Sequence, residues 1–126
     1  MGINLTLVGA AALPKGAIVK LGTNGKVSAV AAATDQPLGM VTTGSKAADE
    51  DVTVLTPFIA VVKGKASGAG CDAGVEVAAE ALDGTDDLMD YAVAAATNRV
   101  VGVVIEGGAD GEEIWVGLYG HNYIKA

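Results

Sequence analysis

The sequence predicts an all-β fold, a small barrel or sandwich of β-tulip or jelly-roll type. Three observations carry it: short apolar runs alternate with polar residues, glycine-centred turns separate them at regular spacing, and helical periodicity is weak. Glycine fills 18 of 126 positions while only three prolines occur, which fits frequent tight turns and not a collagenous or proline-rich disordered chain. Apolar residues make up 51% of the chain but aromatics only 4%, so alanine and valine must build a thin, closely spaced core. A chain of this length can bury that core as a single domain, residues 1–126, without disulfides or metals.

Ile3, Leu5 and Leu7 alternate with Asn4 and Thr6, the period of a half-buried strand, so residues 1–12 read as an N-terminal arm or an edge strand. As an arm, residues 2–8 would order only against a partner. Fixing each backbone residue costs about 1–2 kcal/mol, and burying each of the three apolar side chains returns only about 1.5–3 kcal/mol.

A first β unit spans residues 13–63. Its clearest feature is a hairpin: Ala17-Ile18-Val19-Lys20-Leu21 runs into Gly22-Thr23-Asn24-Gly25, whose Asn-Gly pair tolerates positive φ, and Lys26-Val27-Ser28-Ala29-Val30 returns. Pro37-Leu38-Gly39-Met40-Val41-Thr42 is the next strand, residues 44–51 a polar loop, and Val52-Thr53-Val54-Leu55 the strand after it. Pro57 belongs at that strand's end, because it has no N–H for a ladder. Phe58-Ile59-Ala60-Val61-Val62 closes the unit, and residues 64–73 form a glycine-rich connection.

The second unit, residues 74–120, repeats the theme. Gly74-Val75-Glu76-Val77-Ala78, an acidic loop, and Leu88-Met89-Asp90-Tyr91-Ala92-Val93 come first. Arg99-Val100-Val101-Gly102-Val103-Val104-Ile105 and Glu113-Ile114-Trp115-Val116-Gly117-Leu118-Tyr119 follow, and residues 121–126 are a tail. Residues 78–82 and 94–98 are the only helix candidates. Residues 29–41 align with 92–104, so the strand at 38–41 is expected to match the one at 101–104 in a pseudo-twofold duplication.

No catalytic centre, cofactor site or metal site is legible. His121, the only histidine, stands beside Asn122 with no nucleophile or metal-spaced partner. Asp83, Asp86, Asp87 and Asp90 could offer oxygens to Ca²⁺, but their spacing is not that of an EF-hand, and the loop at 83–90 reads first as a solvated hairpin tip. Residues 64–70 lack the order of a phosphate-binding loop, and neither Lys63 nor Lys65 has the flanks of a carrier lysine. Gly2 and Thr6 formally match a myristoylation pattern that no basic patch supports. A net charge of −7 opposes nucleic-acid binding. The single Cys71 makes no internal disulfide, as expected of a chain folding inside the cell. Residues 1–9 do not read as a signal peptide, and no apolar run is long enough to span a bilayer, so no membrane partner is expected.

Across nearly its whole length the chain resembles the small capsid decoration, or cement, proteins of tailed bacteriophages. The resembling segments are Lys15-Gly16-Ala17-Ile18-Val19-Lys20-Leu21-Gly22, Gly25-Lys26-Val27 and Gln36-Pro37-Leu38-Gly39-Met40-Val41. They recur as Ala73-Gly74-Val75-Glu76-Val77, Arg99-Val100-Val101-Gly102-Val103-Val104 and Glu113-Ile114-Trp115-Val116-Gly117-Leu118. The resemblance implies a non-enzymatic β-rich protein, made in the host bacterial cytoplasm, that coats the outer capsid surface and holds capsomers together. Its partners would be the major capsid protein and copies of itself, as a homotrimer before a dimer. The family has no catalytic residues to carry over. From the residues themselves, Ile3, Asn4, Leu5, Thr6, Leu7, Trp115 and Tyr119 are the candidate capsid or subunit contacts. The competing reading is a β-sandwich module for a carbohydrate or other small ligand, against which the scarcity of aromatics speaks.

Overall fold

The computed structural model describes residues 3–82 and 87–126, with the backbone alone at His121, and among these residues every regular element is a β-strand. β1 (Ile3–Val8), β2 (Ile18–Leu21), β3 (Val27–Ala29), β4 (Gly39–Thr43) and β5 (Asp51–Thr56) form an open sheet in the order β1-β5-β4-β2-β3. β6 (Ile59–Ala66), β7 (Glu76–Leu82), β8 (Met89–Val93), β9 (Arg99–Glu106) and β10 (Glu113–Ile124) form a closed barrel in the order β10-β6-β8-β7-β9. Adding five to each label of the open sheet reproduces the ring of the barrel, read from β6.

The expected duplication therefore extends to register. Leu5 faces Val54 as Val62 faces Val116. Val19 pairs with Gly39 and Ala29 as Val77 pairs with Gly102 and Val93. The ladder slips by one residue at Thr42 in one unit and at Ile105 in the other. Loop bonds repeat as well: the Gly16 N–H donates to the Val41 carbonyl at 2.8 Å, and the Gly74 N–H to that of Val104 at 2.8 Å. Closure is what differs. β6 meets β8 in parallel at Lys65↔Asp90 and Ala66↔Tyr91, whereas in the first unit the same seam is reduced to the bridge Gly9↔Val27.

The hairpin forms as expected, with Gly25 at φ 79°, the Gly22 N–H on the Lys26 carbonyl at 2.8 Å and the Lys26 N–H on Asn24 Oδ1 at 3.1 Å. Buried side chains of both units join in one hydrophobic cluster that includes Leu13, Val54 and Phe58 on one side and Tyr91, Ile114 and Val116 on the other. The two units fill their interiors differently. Leu7 and Val27 of the first are matched by Gly64 and Tyr91 of the second, and a Cβ on Gly64 would lie 2.4 Å from Tyr91 Cε2.

Four expectations are corrected. Of the two expectations for the N-terminus, residues 3–8 follow the edge strand and not the free arm: they pair with β5 along their whole length, from Ile3↔Thr56 to Val8↔Asp51; residue 2 lies outside the described residues. The strand expected to close the first unit is β6 of the barrel instead, and it runs on through Gly64 to Ala66, which are therefore not part of the glycine-rich connection. Residues 78–82 are strand β7, where small alanines suit the closely packed barrel wall, and residues 94–98 are a turn in which the Ala95 N–H donates to Asn98 Oδ1 at 2.9 Å. The tail begins later than expected, because β10 continues through Gly120, at φ 84°, to Ile124.

Candidate interaction surface

A strand points alternate side chains to opposite faces, so the outer face of β6-β10-β9 can be read row by row from the register. One row reads Lys63, Trp115, Glu106; the next reads Val61, Gly117, Val103; a third sets Ile59 beside Tyr119. Ile59 is 59% exposed, Val61 61%, Ile105 53% and Trp115 40%. Gly117 leaves the seat that Ile105 takes: a Cβ there would lie 3.1 Å from Ile105 Cδ1. Lys63 Nζ sits 5.4 Å from the centre of the Trp115 ring and 3.2 Å from the Glu113 carboxylate, so the cation both covers the indole and pairs along the strand.

The first unit shows that folding does not demand this apolar face. Its matching positions hold Asn4 for Val61, Thr6 for Lys63, Thr53 for Trp115 and Thr42 for Ile105, on the same register with the same slip. Leu55 and Met40 stand where the second unit has Gly117 and Val103, but the exposed Val61, Trp115 and Ile105 all have polar counterparts. Exposed apolar surface beyond what a fold requires marks an interaction site.

At one end of the face, Glu76 of β7 gathers the end of β10. Tyr119 Oη donates to Glu76 Oε2 at 3.2 Å, Tyr123 Oη donates to the same oxygen, and Lys125 Nζ lies 3.4 Å from Oε1. The Tyr123 hydrogen bond, above all, holds the Glu76 carboxyl below the ordinary carboxylate range. The same bond pushes the Tyr123 phenol up to about 12. Desolvation first, then Glu76, raises that of Tyr119. This cluster is a clasp on the chain end, with its groups already engaged with one another.

No family model matches the chain, and no curated protein matches it. Among solved structures, it is similar to one described as the crystal structure of head fiber gp8.5 N base in bacteriophage phi29, with a TM-score of 0.63. The match covers 98% of both chains at 12% identity. The likeness is one of fold.

Of the residues singled out in the sequence, Trp115 and Tyr119 share this face. Ile3 to Leu7 do not join them: β1 belongs to the other sheet, where Leu5 and Leu7 are half-buried and Ile3, Asn4 and Thr6 are exposed. Ile59, Val61, Ile105, Glu106 and Glu76 were missed. The alternation Ile59, Val61, Lys63 was a usable signal, but it does not reveal which side faces solvent. Lys63 and Lys65 lie within β6 and not at a hairpin tip, which removes the carrier-lysine reading. Ser67 Oγ donates to Glu80 at 2.7 Å, and no helix follows it to complete a phosphate cradle. Asp83 and Asp86 lie outside the described residues, as does the His121 side chain; among the described residues no group of three His, Cys, Asp or Glu is placed to hold a metal. Cys71 is buried and unbonded to another cysteine, and burial raises its thiol pKa. No helix among the described residues is long and apolar enough to cross a membrane.

Proposed function

We propose that this protein is a non-enzymatic structural component of a tailed-phage head, a decoration or cement protein that binds the outer capsid surface and stabilises contacts between capsomers. The observation that carries the reading is the end-to-end likeness of the duplicated ten-strand fold to the base of a phage head fiber. Its acidic character supports it: a net charge of −7 keeps an abundant protein soluble and off DNA while it accumulates in the host cytoplasm. Such a protein needs no chemistry, only a surface that binds an assembled lattice, where many copies on one shell reinforce each other. Its partners are the major capsid protein and itself, with a trimer placed before a dimer on sequence grounds.

The test is co-sedimentation of purified protein with phage heads prepared without it, read by electron microscopy. Saturable binding at a stoichiometry set by the lattice, with heads that resist heat or osmotic shock better once coated, is expected. Failure to bind heads, together with a specific hit on a glycan array, would replace this reading with that of a ligand-binding β module.

A further inference from the structure

We infer that the β6-β10-β9 face is where two copies of this chain pack together across a twofold axis running along β10. The inference stands apart from the capsid reading.

The row Lys63, Trp115, Glu106 carries a cation at one edge, an aromatic in the middle and an anion at the other edge. A twofold along β10 lays β6 of one copy over β9 of the other while keeping each row level. Lys63 then meets the second copy's Glu106, and Glu106 its Lys63. In the next row Val61 meets Val103 twice, and the Ile105 side chains, each lying over its own Gly117, fill the centre. The Lys63, Trp115, Glu106 row is therefore complementary to itself in charge, as an isologous contact requires. Its exposed apolar surface, on the order of 300–400 Å² from Ile59, Val61, Ile105 and Trp115, suits the apolar centre of an interface that buries ~800 Å² per partner, with the charges as rim. A face that matches itself closes with two copies, whereas a closed trimer joins two different faces. The dimer therefore comes before the trimer that the sequence suggested.

The experiment is sedimentation equilibrium on the full chain and on charge-reversed variants. Wild type is expected to be a dimer at tens of micromolar. Lys63→Glu or Glu106→Lys alone places like charges together twice, and each should weaken the dimer about tenfold or more. The double variant should recover to within about threefold. That recovery cannot come from within one copy, because Trp115 separates the two residues and because the double variant leaves the Lys63–Glu113 pair broken. A second variant set, Val61→Asn, Ile105→Thr and Trp115→Thr together, installs the first unit's side chains, which that backbone already accommodates; it should fold and be monomeric. A monomeric wild type, a trimer, a double variant no better than the singles, or a folded triple variant that still dimerises would overturn the inference. Head binding by a monomer would refute only the dimer, and a dimer that ignores heads only the capsid role.

Discussion

Tyr91 is fully buried, and its hydroxyl has no hydrogen-bond partner among the described residues. Its ring lies on Gly64, and burial raises its phenol pKa far above the ordinary value. Leaving a buried hydroxyl unsatisfied costs about 1–3 kcal/mol. Tyr91→Phe removes that group and keeps the ring. The void left is on the order of 10–15 Å³, worth about 0.3 kcal/mol at ~24 cal/mol per Å³. The balance favours the variant by about 1–2 kcal/mol, or roughly 4–8 °C in Tm for a chain this long. Urea denaturation with an unchanged m value is the assay. The opposite substitution separates ring from hydroxyl: Tyr91→Val installs the first unit's residue, Val27, but opens a cavity above Gly64 and should lose about 2–4 kcal/mol. Adding Gly64→Leu, the first unit's Leu7, should recover part of that loss, whereas Gly64→Leu alone forces a side chain into the Tyr91 ring and should prevent normal folding. A Phe variant less stable than wild type by 1 kcal/mol or more would refute the reasoning, because the hydroxyl would then have a partner, such as a buried water.

Gly39→Ala and Gly102→Ala should each destabilise by about 1–3 kcal/mol in the same assay, because the new Cβ would lie 2.4 Å from the Leu55 carbonyl oxygen in one unit and 2.3 Å from that of Gly117 in the other. Deleting residues 2–8 removes β1, strips β5 of one of its two partners and exposes the core beside Leu7, so the shortened chain should lose its cooperative unfolding transition; a folded product would restore the arm reading. The Glu76 carboxyl is held below its usual range, so its contribution to stability is complete above about pH 4.5 and fades as pH falls through the lowered value. Tyr123, pushed up to about 12, contributes fully below its ordinary value of 10.0, and that contribution is lost as pH rises from there to about 12. Glu76→Gln should flatten both limbs of Tm against pH and bring the ultraviolet titration of Tyr123 back toward 10, and an unmoved tyrosine titration would refute the clasp.

Much of the fold was legible because its causes are local. Period-two alternation marks Ile3, Leu5 and Leu7 as a strand whatever pairs with it, and Asn24-Gly25 specifies a turn through its own backbone freedom. The repeat of residues 29–41 at 92–104 carried the duplication, in register at Gly39 and Gly102 and one residue off at its start, where Ala29 matches Val93. Residues 78–82 misled as a helix candidate because alanine favours helices in isolation, while pairing with β8 overrides so small a preference.

What the chain could not announce is which of its alternating faces would be covered. Val62 and Val61 are chemically the same residue; one turns toward the core and the other into solvent, and only the partners of β6 decide which. The closing of one unit and not the other likewise rests on β6 reaching β8 at two pairs where β1 reaches β3 through one bridge. Glu76 meets Tyr119, Tyr123 and Lys125 across more than forty residues of sequence. Alternation and turn chemistry are properties of a few neighbouring residues, so the sequence alone determined the strands and their repetition. Exposure, closure and the clasp depend on segments far apart in the chain being brought together, and only the tertiary structure decided those.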